Sequence, residues 1–158
     1  MLALSSEYDV LFLQGGASAQ FSMLPTTSCP KEKQRDMYTV VHGRERPGER
    51  DKRLEKPLFW LAEKISSLKS YLFLNNHDIS KELVYVHLTS NETIGGIQYK
   101  TFPDSGDIPL VADMSRDIMS RPFDTSRFSL IYAGAQKNLG AAGVTICHCS
   151  PWLVTLYS

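Results

Sequence analysis

Short apolar runs that stop at glycine or polar residues set the rhythm of this chain. Tyr8-Asp-Val-Leu-Phe-Leu-Gln14 halts at Gly15-Gly16 and reads as a buried parallel strand feeding a glycine turn. Ala17 to Met23 then opens a helix with Ser18 as its N-cap candidate. Leu83 to Leu88 is a second strand, closed by the polar run Thr89-Ser-Asn-Glu-Thr93. Ile108 to Asp113 is a third, ending on a carboxylate. Ser129 to Ala133 is a fourth, running into Gly134-Ala-Gln-Lys-Asn138, and Gly143 to Cys147 is a fifth. Strands of this kind imply an α/β fold with a mainly parallel sheet. In such sheets ligands bind beyond the carboxyl ends of the strands.

Residues 26 to 70 break the rhythm. Arg44 to Arg53 is a charge run with Pro and Gly and no apolar period, which reads as a solvated, poorly ordered loop.

With 158 residues, 42% of them hydrophobic, the chain holds enough apolar material for one core. Its 17 basic and 17 acidic side chains balance, which removes the electrostatic case for a nucleic-acid or anionic-membrane partner. No apolar run approaches a membrane span, and the start lacks the charged-then-apolar layout expected of a signal peptide. Three cysteines suggest no disulfide framework, so the expected location is the cytoplasm. Cys147-His-Cys149 is spaced too tightly for a zinc pair, and no metal is expected. His87, on an apolar strand, reads as a hydrogen-bonded core residue, and His42 and His77 have no partner pattern.

Three of the strand ends carry complementary chemistry. Glycines at a turn let backbone N–H groups approach a phosphate. A strand-end carboxylate such as Asp113 suits a protonated pyridine nitrogen. A lysine such as Lys137 suits an aldehyde cofactor. Each signal taken singly has an ordinary structural explanation: a turn, a helix cap, a surface charge.

Taken as sequence, Val111-Ala-Asp-Met-Ser115 followed by Leu130-Ile-Tyr-Ala-Gly-Ala-Gln-Lys-Asn-Leu-Gly140 closely resembles the cofactor core of the phosphoserine aminotransferases. Phe12-Leu-Gln-Gly-Gly-Ala-Ser18, Gln20-Phe-Ser-Met23 and Tyr85-Val-His-Leu-Thr-Ser-Asn-Glu-Thr-Ile94 carry the same resemblance. It covers roughly residues 7 to 25 and 82 to 146, with Ala141 standing where that family usually has proline and Arg116 where it often has serine. The resemblance implies a class V, fold-type I aminotransferase that uses pyridoxal 5'-phosphate. Its reaction moves an amino group from glutamate to 3-phosphohydroxypyruvate on the route to serine, and the intact family forms homodimers. It also implies roles. Lys137 would form the Schiff base and shuttle the proton, and Asp113 would pair with the pyridinium nitrogen. Gly16, Ala17 and Ser18 would hold the phosphate, with Gln136 contacting it from the lysine's loop and Thr93 bonding in the pocket. A cysteine desulfurase or an alanine–glyoxylate aminotransferase is the alternative within the class. A non-enzymatic pseudogene remnant or bare cofactor-binding fragment is the alternative outside it.

The resemblance divides the chain into residues 1–25 with the phosphate turn, a non-matching stretch 26–70, the cofactor core 71–146, and an atypical tail 147–158. Between Pro25 and Tyr71 the likeness vanishes, yet the 75 positions from Ser18 to Thr93 are close to the interval the family keeps. A shifted reading frame explains both facts. Reading each residue's third codon base with the first two of the next, Thr26 to Gln34 can yield Asn-Leu-Leu-Pro-Lys-Gly-Lys-Thr-Ala. Val40 to Arg44 can yield Gly-Ser-Trp-Ser, and Trp60 to Ser66 can yield Ala-Ser-Gly-Glu-Asp-Lys. These resemble the family's missing segments in order and in place, among them the tryptophan that stacks on the cofactor ring. Trp60 sits in the wrong context to replace it.

Overall fold

In the computed structural model, residues 6–28, 38–40, 84–91, 98–151 and 153 are described, the last turn of the first helix and the strand at 38–40 by backbone alone. The elements are β1 (Asp9–Leu13), α1 (Gly16–Ser28), β2 (Tyr38–Val40), β3 (Val86–Thr89), β4 (Leu110–Asp113), a 3-10 turn (Thr125–Arg127), β5 (Leu130–Gly134), α2 (Ala135–Asn138) and β6 (Thr145–Cys149). They form one six-stranded sheet in the order β1-β6-β5-β4-β3-β2.

The centre of the sheet follows from its composition. β2, β3, β4 and β5 pair in parallel, and β3 to β5 are buried along nearly their whole length. Strands covered on both faces need apolar residues at successive positions, and Leu-Val-Ala and Leu-Ile-Tyr-Ala supply them. Alternation sorts the side chains into two layers. Val86, Leu88, Leu110, Ala112, Ile131 and Ala133 pack on one face with Met114, Ile118 and Phe128. Tyr85, Val111, Leu130, Tyr132, Cys147 and Cys149 pack on the other with Leu24 of α1 and Leu153. Phe21 and Ala17 of α1 border this second layer.

The sheet is mainly parallel, as expected, and β6 is the exception. It runs antiparallel to both β5 and β1. Only ten residues separate Gly134 from Thr145, too few for a parallel crossover helix, so the chain must return in the opposite sense. The expected fifth strand therefore begins two residues later, past the turn at Gly143 (φ +108°), and reaches Cys149.

Two further expectations are corrected. β1 is neither buried nor paired in parallel: it is an edge strand hydrogen-bonded to β6, with Phe12 71% exposed. An apolar run alone cannot distinguish an edge from a centre, because lateral neighbours are set by topology. Ser18 is not the cap of α1: the helix begins at Gly16, and Ser18 lies exposed within its first turn. Gly15 and Gly16 both take positive φ, +98° and +70°, and so turn the chain into helix two residues sooner than a serine cap would.

Within the stretch 26–70, Thr26 to Ser28 finish α1 and Tyr38–Val40 add an edge strand to β3. Parallel pairing at that edge asks only for main-chain bonds and β-prone residues, which Tyr-Thr-Val provides. The rest of that stretch, including His42, the charge run 44–53 and Trp60, lies outside the described residues, as do His77 and Thr93. Among the described residues no helix is long and apolar enough to cross a membrane.

Candidate functional site

Strand register brings the chemistry to one edge. Thr89 pairs with Asp113, Asp113 with Tyr132, and Gly134 with Thr145, which in turn pairs with Leu13. The carboxyl ends of β1, β3, β4 and β5 and the amino end of β6 therefore lie along the same margin. From that margin project the Gly15-Gly16 turn, the Asp113 carboxylate and the Lys137 segment.

Gly15 is required by space as well as by its φ. A Cβ there would stand 2.8 Å from Cβ of Ala19, inside any tolerated carbon contact. At Gly16 nothing lies within 4 Å of where a Cβ would be, so its open side is outward. The first turn of α1 carries no acidic residue. Its unpaired N–H groups and the positive end of the helix thus suit an anion. Ala17 is half-buried beside the second core layer, and Ser18 is exposed.

Asp113 is half-buried at the end of β4. Its Oδ1 accepts two hydrogen bonds from Ser115, from the backbone N at 2.9 Å and from Oγ at 2.6 Å. Oδ2 has no partner among the described residues and remains available to a cation. Lys137 is exposed on α2, and beside it Gln136 folds back over Gly134: a Cβ on Gly134 would meet Gln136 Oε1 at 2.7 Å. Asn138 donates from Nδ2 to the Ile118 carbonyl, tying the lysine's turn to the loop after β4.

Below the margin, on the α1 face, lies a neutral polar pair. His87 Nε2 and the Tyr132 hydroxyl share a hydrogen bond of 2.8 Å, and Phe21 of α1 meets the His87 ring edge-on at 5.2 Å. Burial pushes His87 down to about 3. Burial, and secondarily the nearby Asp113 charge, holds the Tyr132 phenol well above its usual value. His87 is thus the hydrogen-bonded core residue its strand context suggested.

The lowered His87 value makes acid sensitivity calculable. Between pH about 6.5 and 3 the unfolded chain carries a proton on His87 that the folded chain excludes. This contribution to stability is therefore complete above pH 6.5 and is lost as pH falls, by up to about 1.4 kcal/mol per unit. Urea midpoints measured from pH 7 to 4 should fall less steeply for His87→Phe than for the parent; identical slopes would sink this account.

Alternation places Cys147 and Cys149 in the α1-side core layer and His148 on the opposite face, stacked on Tyr8 at 4.5 Å. Burial raises the two thiols to about 12 and about 11. Thiols held protonated on the far side of the sheet from the imidazole do not make a metal centre with it.

A family model described as aminotransferase class-V matches residues 1–155. The chain belongs to the class V aminotransferases. It is 44% identical over 151 residues to the phosphoserine aminotransferase of Ectopseudomonas mendocina, covering 92% of this chain and 40% of that protein. It is 41% identical over 146 residues to the phosphoserine aminotransferase of Lysinibacillus sphaericus, with the same coverage. The solved phosphoserine aminotransferase from Bacillus circulans subsp. alkalophilus superimposes with a TM-score of 0.72 at 37% identity, covering 96% of this chain and 42% of that one. The alanine–glyoxylate aminotransferase of Nostoc sp. shares the fold alone, with a TM-score of 0.59 at 17% identity. The chain thus spans about 40% of the length of the curated relatives it matches. An alignment covering 92% of the chain necessarily runs across most of residues 26–70.

Of the residues singled out from sequence, Gly16, Ala17, Ser18, Asp113, Gln136 and Lys137 lie along this margin, and Thr93 lies outside the described residues. Sequence reasoning missed Ser115, Tyr132 and Asn138. Only Ser115 left a signal, as a hydroxyl two positions after an Asp, the spacing of an Asx-type turn.

Proposed function

We propose that these residues form the cofactor-holding part of a phosphoserine transaminase, which converts 3-phosphohydroxypyruvate and L-glutamate to O-phospho-L-serine and 2-oxoglutarate. The observation that carries this reading is the convergence of a glycine turn, a strand-end carboxylate and a lysine on one sheet margin, in a chain over 40% identical to phosphoserine aminotransferases. A related phosphoserine aminotransferase, at 35% identity, has been solved in a form described by radiation damage of its Schiff base, which supports pyridoxal phosphate as the cofactor class.

The residues fit that group. Pyridoxal phosphate supplies an electron sink for the bonds broken at a substrate's α-carbon. The N–H groups of Gly16 and Ala17, with Ser18, would hold its phosphate, and Gln136 would approach it from the lysine's turn; Thr93, outside the described residues, is given to the pocket by the family resemblance alone. Asp113, with Oδ1 taken by Ser115, would offer Oδ2 to the ring nitrogen and favour its protonated form. Lys137 would be the amine that engages the aldehyde and would carry the proton to and from the substrate. The cytoplasm, serine biosynthesis and a homodimeric assembly complete this reading.

Borohydride reduction of the chain mixed with pyridoxal phosphate should fix one label, on the peptide containing Lys137. A label spread over other lysines, or none, would remove the cofactor reading. Assayed by itself with glutamate and 3-phosphohydroxypyruvate, the chain is expected to show no turnover.

A second proposal concerns residues 26 to about 70: they arise from a shifted reading frame of the same gene. What supports it is the retained spacing around a stretch that carries none of the family motifs found on either side of it. The coding sequence decides it, since a frame that does not encode Gly-Ser-Trp-Ser across codons 40 to 44 excludes the shift.

A further inference from the structure

Ser115 sits where the two chemically important strand ends meet. It is buried, 3% exposed, in the first turn after β4. Its hydroxyl has one hydrogen, and its neighbours decide where that hydrogen points. Gly134 N, which can only donate, lies 2.9 Å from Oγ and so takes one of its lone pairs. The hydrogen is left for Asp113 Oδ1 at 2.6 Å, which also receives the Ser115 N–H at 2.9 Å. The result is a directed chain from the Gly134 N–H through the Ser115 hydroxyl to the Asp113 carboxylate. Gly134 is the last residue of β5 and the N-cap of α2, which carries Lys137.

We propose that Ser115 is a positioning residue that fixes the Asp113 carboxylate with Oδ2 turned toward the ligand and couples it to the start of the Lys137 turn. Two donors converging on Oδ1 leave Oδ2 as the oxygen offered to a cation, and they set the plane of the carboxyl group. The same hydroxyl satisfies a buried amide at the β5–α2 junction, so rotation of Asp113 and displacement of Gly134 are opposed by one group. The neighbouring backbone bond from Met114 N to Tyr132 O, 2.8 Å, holds the two strand ends at fixed separation and leaves orientation to Ser115. What Oδ2 faces rests on the cofactor reading above; the bond chain itself does not.

The experiment therefore has an arm without cofactor and an arm with it. In the first, the Gly134 amide is followed by NMR in the full chain. Asp113→Asn keeps an acceptor for Ser115 and should move the Gly134 resonance. In a Ser115→Ala background the same substitution should leave that resonance in place, and Gly134 exchange should quicken about tenfold. An equal Gly134 shift in both backgrounds overturns the proposal. If the alanine variant does not fold, Ser115→Cys serves, because its weaker S–H donor should reduce the same coupling. In the second arm, Ser115→Ala should weaken pyridoxal phosphate binding about tenfold, the worth of one charge-assisted hydrogen bond, while Ser115→Thr restores it. Unchanged affinity and an unchanged visible absorbance in Ser115→Ala also overturn the proposal. Failure of the parent chain to take a label at Lys137 counts against the cofactor reading instead, and the Gly134 coupling then decides Ser115 by itself.

Discussion

Lys137→Ala is expected to abolish the borohydride-fixed pyridoxal phosphate label and the violet-edge absorbance that precedes it, while leaving the fold in place. The two halves of this expectation have separate causes. Lys137 is an exposed side chain on the four-residue α2, and an exposed substitution of this kind usually changes stability by no more than about 0.5 kcal/mol. Alanine is also the best helix former, so α2 loses nothing in propensity. The covalent link, in contrast, has no substitute among the described residues: Asn138 and Gln136 are amides, and Lys100 lies on a different loop, after β3 and its bridge. The glycine turn and Asp113 would still bind the cofactor reversibly, so gel filtration after reduction is the informative step. Far-UV circular dichroism should match the parent. A Lys137→Ala chain that retains a stoichiometric reduced label would show that another lysine forms the bond, and would remove Lys137 from the site.

What the sequence disclosed and what it hid divide along physical lines. Strands β3 to β5 were legible because burial on both faces demands unbroken apolar runs, a one-dimensional signal. The Asp113 and Lys137 positions were legible because each ends or follows such a run. The direction of β6 and the edge position of β1 were not, since strand neighbours depend on how connections cross in space; only the ten-residue gap before Thr145 hints at a reversal. The His87–Tyr132 bond joins residues 45 positions apart, and local pattern carries no trace of it. The true start of α1 is hidden because serine is the commoner helix-starting signal and paired glycines, by sequence, signal only a turn. At Cys147-His-Cys149 spacing alone does not say which side chains meet: once the segment is a strand, the histidine faces away from both cysteines.

Gly15→Val should be the most damaging single substitution in the phosphate turn, costing about 3 kcal/mol of stability and most of the affinity for any phosphate ligand. Two independent penalties meet at this residue. Its φ of +98° lies in a region where a β-branched side chain collides with its own backbone. The first added carbon would also stand 2.8 Å from Ala19 Cβ, one turn along α1. Relief requires either a rotation of φ, which redirects the first N–H groups of α1, or a shift of the helix away from the turn. The second movement pulls Ala17, Phe21 and Leu24 from the layer they share with Tyr132 and Cys147. Gly16 separates conformation from crowding: its φ of +70° is also positive, but no atom lies within 4 Å of a Cβ there. Gly16→Ala should therefore cost only about 1 to 2 kcal/mol, the penalty of a left-handed backbone. Gly16→Asn, which tolerates that region better, should recover part of it. Urea midpoints of the three variants, with inorganic phosphate as the probe ligand, test the ordering. If Gly15→Val were no less stable than Gly16→Ala, the close approach to Ala19 would not constrain the turn, and the reason for a paired glycine at this sheet margin would have to be sought in the ligand alone.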